Sequence, residues 1–380
     1  MKSLITYLAL LIAVCISSTT LAADIQMQTG FNFDWWKDNQ TSRARQSYVP
    51  VRIDGRFDDF SITLLTAYAH THLDKSGSST TLDHVLDTKL NTSYSIIGKL
   101  PVDILLGLDL NLPTGKTDLT KKENELNLVM DPDLISITTY GEGFNVNPTV
   151  TIAKQWGKLV TGIGFGYLYR GEYNYSSELG ISDYDPGDII SLTGEARYYF
   201  SPKMYTRLFV RHAWYEKDTL RGSDFYQEGD FSLFGLGLYY KQKKEWDAGL
   251  TFHGILRDKS KFRETSNNAF VTESHNGHGD EWIADLAAKY LLNEKTTLRS
   301  SLQGRIFTKN DYTPDSSYFI GEKKKLSLGI GATRALNPNL EAALDIKGFV
   351  KHDEETRFPE YKSACDYQGY SISAMLTGRF

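Results

Sequence analysis

From Ile25 to Phe380 the sequence alternates apolar and polar residues with a period of two, and this alternation constrains the fold more than any other feature. Ile25, Met27, Phe31, Phe33 and Trp35 alternate with Gln26, Gln28, Asn32 and Asp34; Ile104, Leu106, Leu108, Leu110 and Leu112 interleave with Asp103, Gly107, Asp109 and Asn111. Leu159, Thr161, Ile163, Phe165, Tyr167 and Tyr169 likewise interleave with Gly162, Gly164, Gly166 and Arg170. Successive side chains of a strand point to opposite faces, so each segment reads as a strand with one apolar and one polar face. The pattern predicts sixteen strands, near 25–36, 47–58, 60–72, 85–97, 102–113, 143–154, 158–170, 188–200, 204–215, 229–240, 245–257, 280–291, 296–307, 324–335, 339–350 and 368–380.

The connections carry as much information. Links after even-numbered strands are tight, as at Asp58-Asp59, Gln155-Trp156-Gly157, Ser201-Pro202-Lys203 and Leu336-Asn337-Pro338. Links after odd-numbered strands are long and polar, for example 258–279 and 351–367. A strict short/long alternation with an even strand count belongs to a transmembrane barrel, with short periplasmic turns and long extracellular loops; a soluble sandwich has no reason to obey it. Phe57, Phe60, Trp156, Phe200, Tyr240, Trp246 and Tyr290 lie beside short turns, and Trp35, Tyr167, Tyr169, Trp214, Phe252 and Trp282 lie toward the long loops, which reads as two interfacial girdles. The expected fold is therefore all-β: a closed antiparallel transmembrane β-barrel of about 16 strands.

Composition alone would suit a soluble protein, with 41% hydrophobic residues and a mean hydropathy of -0.37 over 380 residues. After residue 23 the longest stretch free of Asp, Glu, Lys and Arg is 60–73, shorter than the roughly 18 apolar residues a spanning helix needs. Helical membrane proteins are excluded. A net charge of -5 with no long basic run excludes a nucleic-acid binder. Residues 1–23, with Lys2, an apolar run from Leu4 to Ile16 and a small-residue exit ending in Ala22-Ala23, have the three-part form of a secretory signal peptide. The barrel domain is then 24–380, and of the two cysteines only Cys365 remains in it, so no intramolecular disulfide is expected.

Hydrocarbon leaves no partner for an unpaired backbone group, so the sheet must close, the first strand pairing with the last and both termini lying on the periplasmic side. Sixteen tilted strands enclose a backbone cylinder roughly 30 Å across, too wide for side chains to fill. The inward positions hold Arg52, Arg56, Lys89, Arg197, Arg207, Arg211, Arg299 and Arg305 as pore-lining bases, against acids such as Asp54, Asp103, Asp109 and Glu195. Such a lining suits hydrated solutes. The longest connection, 113–142, contains a short helix over 121–130 ended by Asp131-Pro132-Asp133.

In strand count, layout and the position of this connection the chain resembles general porins of the Gram-negative outer membrane. That resemblance implies an inward-folded constriction loop, its Glu123, Glu125, Asp131 and Asp133 set against Arg52, Arg56, Arg207 and Arg211, and a homo-trimer. Leu112-Pro113-Thr114-Gly115-Lys116, Pro148, the Trp156 turn and Asp185-Pro186-Gly187-Asp188 resemble the outer-membrane family named for the meta-pathway of phenol degradation, which implies a transporter-like barrel. Chemistry has no comparable signature. Gly115-Lys116-Thr117 lacks the first glycine of a phosphate loop, His275, His278, Glu273 and Asp280 share one external loop as candidate ligands of a divalent ion, though side chains so displayed are usually just solvated, and no nucleophile motif occurs. No catalytic residue, metal or cofactor is expected.

The sequence thus predicts an outer-membrane channel for passive diffusion of small polar solutes, in contact with outer-membrane lipid and lipopolysaccharide. Two alternatives are a channel selective for apolar or aromatic compounds and a structural barrel holding an exported protein partner.

Overall fold

The computed structural model describes residues 23–75, 77–129, 132–242, 245–264 and 269–380. The leader expected over 1–23 lies outside them apart from Ala23, as does Asp131. Among the described residues the wall is built from β1 (Ala23–Asp38), β2 (Ser42–Phe57), β3 (Phe60–Lys75), β4 (Ser78–Val85), β5 (Thr88–Ile96), β6 (Asp103–Leu112), β7 (Asn145–Trp156) and β8 (Leu159–Arg170). It continues through β10 (Ile189–Ser201), β11 (Met204–Tyr215), β14 (Phe231–Gln242), β15 (Trp246–Arg257), β18 (Glu281–Asn293), β19 (Thr296–Phe307), β20 (Lys323–Asn337), β21 (Leu340–Asp353) and β22 (Cys365–Arg379). The short strands β9 (Tyr184–Asp185), β12 (Asp218–Leu220), β13 (Ser223–Gln227), β16 (Lys261–Arg263) and β17 (Phe270–Thr272), and one helix, α1 (Lys121–Val129), lie in the connections.

Every wall pairing is antiparallel between chain neighbours, and β1 pairs with β22 from Gln26↔Arg379 to Asp38↔Tyr367, which closes the sheet. The sheet has seventeen elements, but β4 and β5 both pair with β3, as two halves of one strand interrupted at Leu86-Asp87. The wall is a closed antiparallel barrel of sixteen strands. Its two ends differ: the chain enters β1 and leaves β22 at the end that carries the tight turns, where Ala23 stands opposite Phe57 and Gln26 opposite Arg379.

Alternation sorts the side chains. Phe31, Val49, Leu106, Ile163, Val210, Leu236, Leu328 and Ile330 project outward and are exposed, Leu328 and Ile330 by 61% and 62%. Aliphatic side chains this open to solvent all round a wall make sense only against lipid. Exposed Phe60, Trp156, Phe200, Tyr240 and Trp246 border this belt at the turn end, and Tyr169, Trp214, Phe252 and Tyr370 at the other.

Three features differ from the sequence expectation. The link between β1 and β2 is only 39–41, and of the residues expected as loop 73–75 extend β3 and 78–84 belong to β4, so the wall is taller on this side. The second is the outer connections, where β17, β16, β13, β12 and β9 form a separate five-stranded sheet. The third is the position of the apolar core. Trp36, Ala44, Ala69, Leu73 and Leu82 from the inner faces of β1 to β4, and Phe349, Cys365 and Tyr367 from β21 and β22, pack with Leu119, Leu126, Leu134, Ile135 and Tyr140 of the connection between β6 and β7. The core therefore lies inside the mouth of the barrel rather than between layers.

Candidate functional site: the barrel lumen

The described residues of the connection 113–144 pack against the inner faces of β1 to β4, β21 and β22. Its helix starts in a reciprocal cap: the Glu123 amide donates to Thr120 Oγ1 (3.3 Å), and the Thr120 amide donates to Glu123 Oε2 (2.9 Å). Lys116 Nζ donates to both oxygens of the same carboxylate (2.6 and 2.7 Å). Burial opposes ionisation of Glu123, but the hydrogen bonds from Lys116 and Thr120 prevail and hold its carboxyl below the usual range. Leu126, one turn on, is fully buried in the mouth core.

Asp87, at the break between β4 and β5, clasps the two ends of this connection. Its carboxylate accepts the Gly115 amide (2.8 Å), the Glu142 amide (2.7 Å) and Asn111 Nδ2 (2.7 Å). Further in, the fully buried Gln46 donates to Ile137 O (2.8 Å) and accepts the Ile137 amide (2.8 Å), closing a two-bond bridge between β2 and the connection. Tyr140 shares a hydroxyl hydrogen bond with Thr71 (2.6 Å) and donates to Leu82 O (3.1 Å). Burial raises the Tyr140 phenol to about 12, so it stays protonated and able to donate. From the same segment the Ser136 amide donates to Asp34 of β1 (3.3 Å).

The connection also reaches β19 and β20. Arg305 of β19 ion-pairs with Asp133, whose side chain is 3% exposed, and with Glu281 of β18 (2.5 Å); Lys325 of β20 donates to the Asp133 carbonyl. One segment therefore touches β1 to β4 and, through Asp133, β19 and β20, with its apolar residues toward the shared core.

Strand register puts Arg52, Arg56, Lys89, Arg197, Arg207, Arg211, Arg299 and Arg305 on the inward face, level with other polar positions such as Gln28, Asp24, Thr193 and Gln303's neighbour Ser327. Most find acids on the wall itself. Arg52 bonds Asp54 (2.7 Å), Arg197 and Arg207 share Glu195 (2.5 and 2.6 Å), and Arg299 bonds Asp345 (2.7 Å). Arg56, Lys89 and Arg211 have no ion pair among the described residues. The connection's acids, expected to stand against Arg52, Arg56, Arg207 and Arg211 across the lumen, form no ion pair with them among the described residues. Glu123 is taken by Lys116 and Asp133 by Arg305, while the Glu125 side chain lies outside the described residues. Lys116, seven positions before Glu123 in the same folded segment, costs less ordering entropy as a partner than a base across the lumen, and Arg305 meets Asp133 where the connection reaches β19.

Sequence reading missed Asp87, Gln46, Thr71 and Tyr140 as anchors of the connection. In the outer connections His278 shares a hydrogen bond with Ser260 (3.1 Å) and the Ser260 amide donates to Glu273 (2.7 Å). Among the described residues no three metal-ligating side chains converge.

A closed sheet with an aliphatic belt outside, two aromatic borders and a charged interior is the architecture of a porin-type transmembrane β-barrel. No protein-family model matches the sequence, and no curated protein is similar to it. Among solved structures, similar ones include an anion-selective porin from Comamonas acidovorans, 12% identical over 94% of this chain and 99% of that one, with a TM-score of 0.43. OccK7 of Pseudomonas aeruginosa is 10% identical over 94% and 99%, TM-score 0.44. A monoaromatic hydrocarbon channel, CymD, is 11% identical over 93% and 88%, TM-score 0.43. At such identities and scores the fold class rests on the chain's own strand pairing, from β1 round to β22.

Proposed function

We propose that this protein is an outer-membrane channel through which small polar solutes diffuse passively, with the connection 113–142 as its constriction and no catalytic role. The observation that carries this reading is the sorting of side chains by a closed wall: aliphatic residues face out, and Arg, Lys, Asp and Glu face a lumen wider than they can fill. Hydrogen bonds from the connection to Gln46, Thr71, Asp87 and Arg305 support the constriction. Both signs line the same strands, Asp54 beside Arg52 and Glu195 beside Arg197 and Arg207, and such a charged lining favours hydrated solutes. In this reading the termini are periplasmic, the belt meets outer-membrane lipid with lipopolysaccharide on the outer leaflet, and the barrel assembles as a homo-trimer.

Planar-bilayer recording on the purified protein tests it. Stable ohmic steps in potassium chloride are expected, and deletion of 121–130 should enlarge both conductance and the size cut-off for sugars in liposome swelling. Absence of steps from correctly folded protein would refute the channel; an unchanged cut-off after the deletion would refute the constriction alone.

A further inference from the structure

The inner face of four neighbouring strands carries rings and guanidinium groups in close succession, which a plain water-filled passage does not require. Near the turn end, Tyr199 of β10, Tyr205 of β11 and Tyr239 of β14 follow one another round the wall, with centroids 5.4 and 4.7 Å apart, the second pair stacked at 14°. Next along the lumen, the Arg207 guanidinium lies 4.7 Å from the centroid of Phe209, and Phe209 faces His253 of β15 at 6.3 Å. Beyond these, Phe231 is flanked by Arg211 at 5.3 Å and Arg257 at 5.5 Å, with Tyr215 at 6.3 Å. Leu233 and Ile255 share this inner face, in register with Arg211 and with each other.

Two glycines explain how the rings lie. A Cβ on Gly235 would come within 2.2 Å of the Phe209 ring, and one on Gly237 within 2.5 Å of the Tyr239 ring, so both rings rest over bare backbone of β14. Both remain half-buried, one side on the wall and the other toward the lumen. The charges along the strip do not cancel. Arg197 and Arg207 share one carboxylate, Glu195, Arg257 pairs with Glu228, and Arg211, between Phe209 and Phe231, is exposed with no ion pair among the described residues.

We propose that this strip is a binding track for planar aromatic carboxylates, anchored at Arg211. The proposal rests on the channel reading and names its solute class. A solute ring lies against Phe209, Phe231 and the aliphatic pair Leu233 and Ile255, while its carboxylate takes the two parallel hydrogen bonds a free guanidinium offers. A neutral ring forfeits the charge, and a saturated ring of the same charge forfeits the flat contact. Several weak stations in series let a solute enter and leave, as conduction demands.

Titration calorimetry on the detergent-solubilised protein tests the track independently of conductance, with benzoate as probe and cyclohexanecarboxylate and benzyl alcohol as controls. Saturable benzoate binding is expected, about fivefold or more tighter than either control, and weakened about fivefold or more by Arg211→Gln on β11 and, separately, by Phe231→Leu on β14. Both variants are first checked for folding by their migration in unheated gels. Equal binding of the three probes, no saturation, or unaltered binding in both folded variants overturns the proposal. Conductance without benzoate binding removes the track and leaves the channel; benzoate binding without conductance removes the channel reading.

Discussion

Arg305 joins the wall to the inward connection through Asp133, and both side chains are largely shielded from water, at 21% and 3% exposure. Removing one partner of a buried pair leaves the other charge uncompensated, at a cost of about 3–5 kcal/mol. Arg305→Ala should therefore free the connection. The expected outcome is protease cleavage within 113–142 and a larger single-channel conductance. Arg52→Ala makes the contrast, because its pair with Asp54 is half-open to the lumen, at 49% and 29% exposure, and an exposed pair contributes about 0–1 kcal/mol. That variant should keep the melting temperature of the parent. The partner of Arg305 was not legible in the sequence, whereas Asp54 lies two positions from Arg52 on the same strand face. Arg305 and Asp133 are 172 positions apart, and their meeting depends on the barrel having already closed around the connection.

At the scale of elements, Asp87 holds the inward connection where it leaves and where it rejoins the wall. Asp87→Ala strands the amides of Gly115 and Glu142, and each lost hydrogen bond to a charged group is worth roughly 1.5–3 kcal/mol. Faster hydrogen exchange at 113–142 with an unchanged barrel is expected. The outer sheet responds to pH instead. Burial, then Arg257, hold the His278 imidazole below its ordinary value of 6.5, so the fold favours the neutral ring. Its contribution is complete above the unfolded value and declines as pH falls through the depressed one, because the unfolded loop takes up the proton first. Protection of the β13 and β16 amides from hydrogen exchange, measured relative to the intrinsic rate at each pH, should be lower at pH 5 than at pH 7.5. All sixteen wall strands were legible because lipid demands an apolar outer face. Residues 73–75 and 78–84 were not: Thr80, Thr81 and Asp83 lie beyond the aliphatic belt, where both faces of a strand meet water or protein and no alternation is imposed. The outer sheet was hidden for the same reason.

For the whole molecule, closure between β1 and β22 is the condition on which everything else depends. Phe33 sits mid-seam, opposite Ile372 on one side and Ser47 on the other. Phe33→Pro removes a ladder donor where lipid offers no substitute, so the compact, fast-migrating form seen without heating in dodecyl sulfate gels should disappear, whereas Phe33→Leu should retain it.

The five-stranded sheet over the outer connections has a consequence for recognition from outside. Tyr184, Leu220, Tyr226 and Phe262, from separate loops, are brought into one sheet by strand pairing. With the termini on the periplasmic side, as proposed above, an antibody or phage approaching the cell would read a composite epitope assembled from distant stretches of chain, and linear peptides copied from any one loop would make poor immunogens for the native surface.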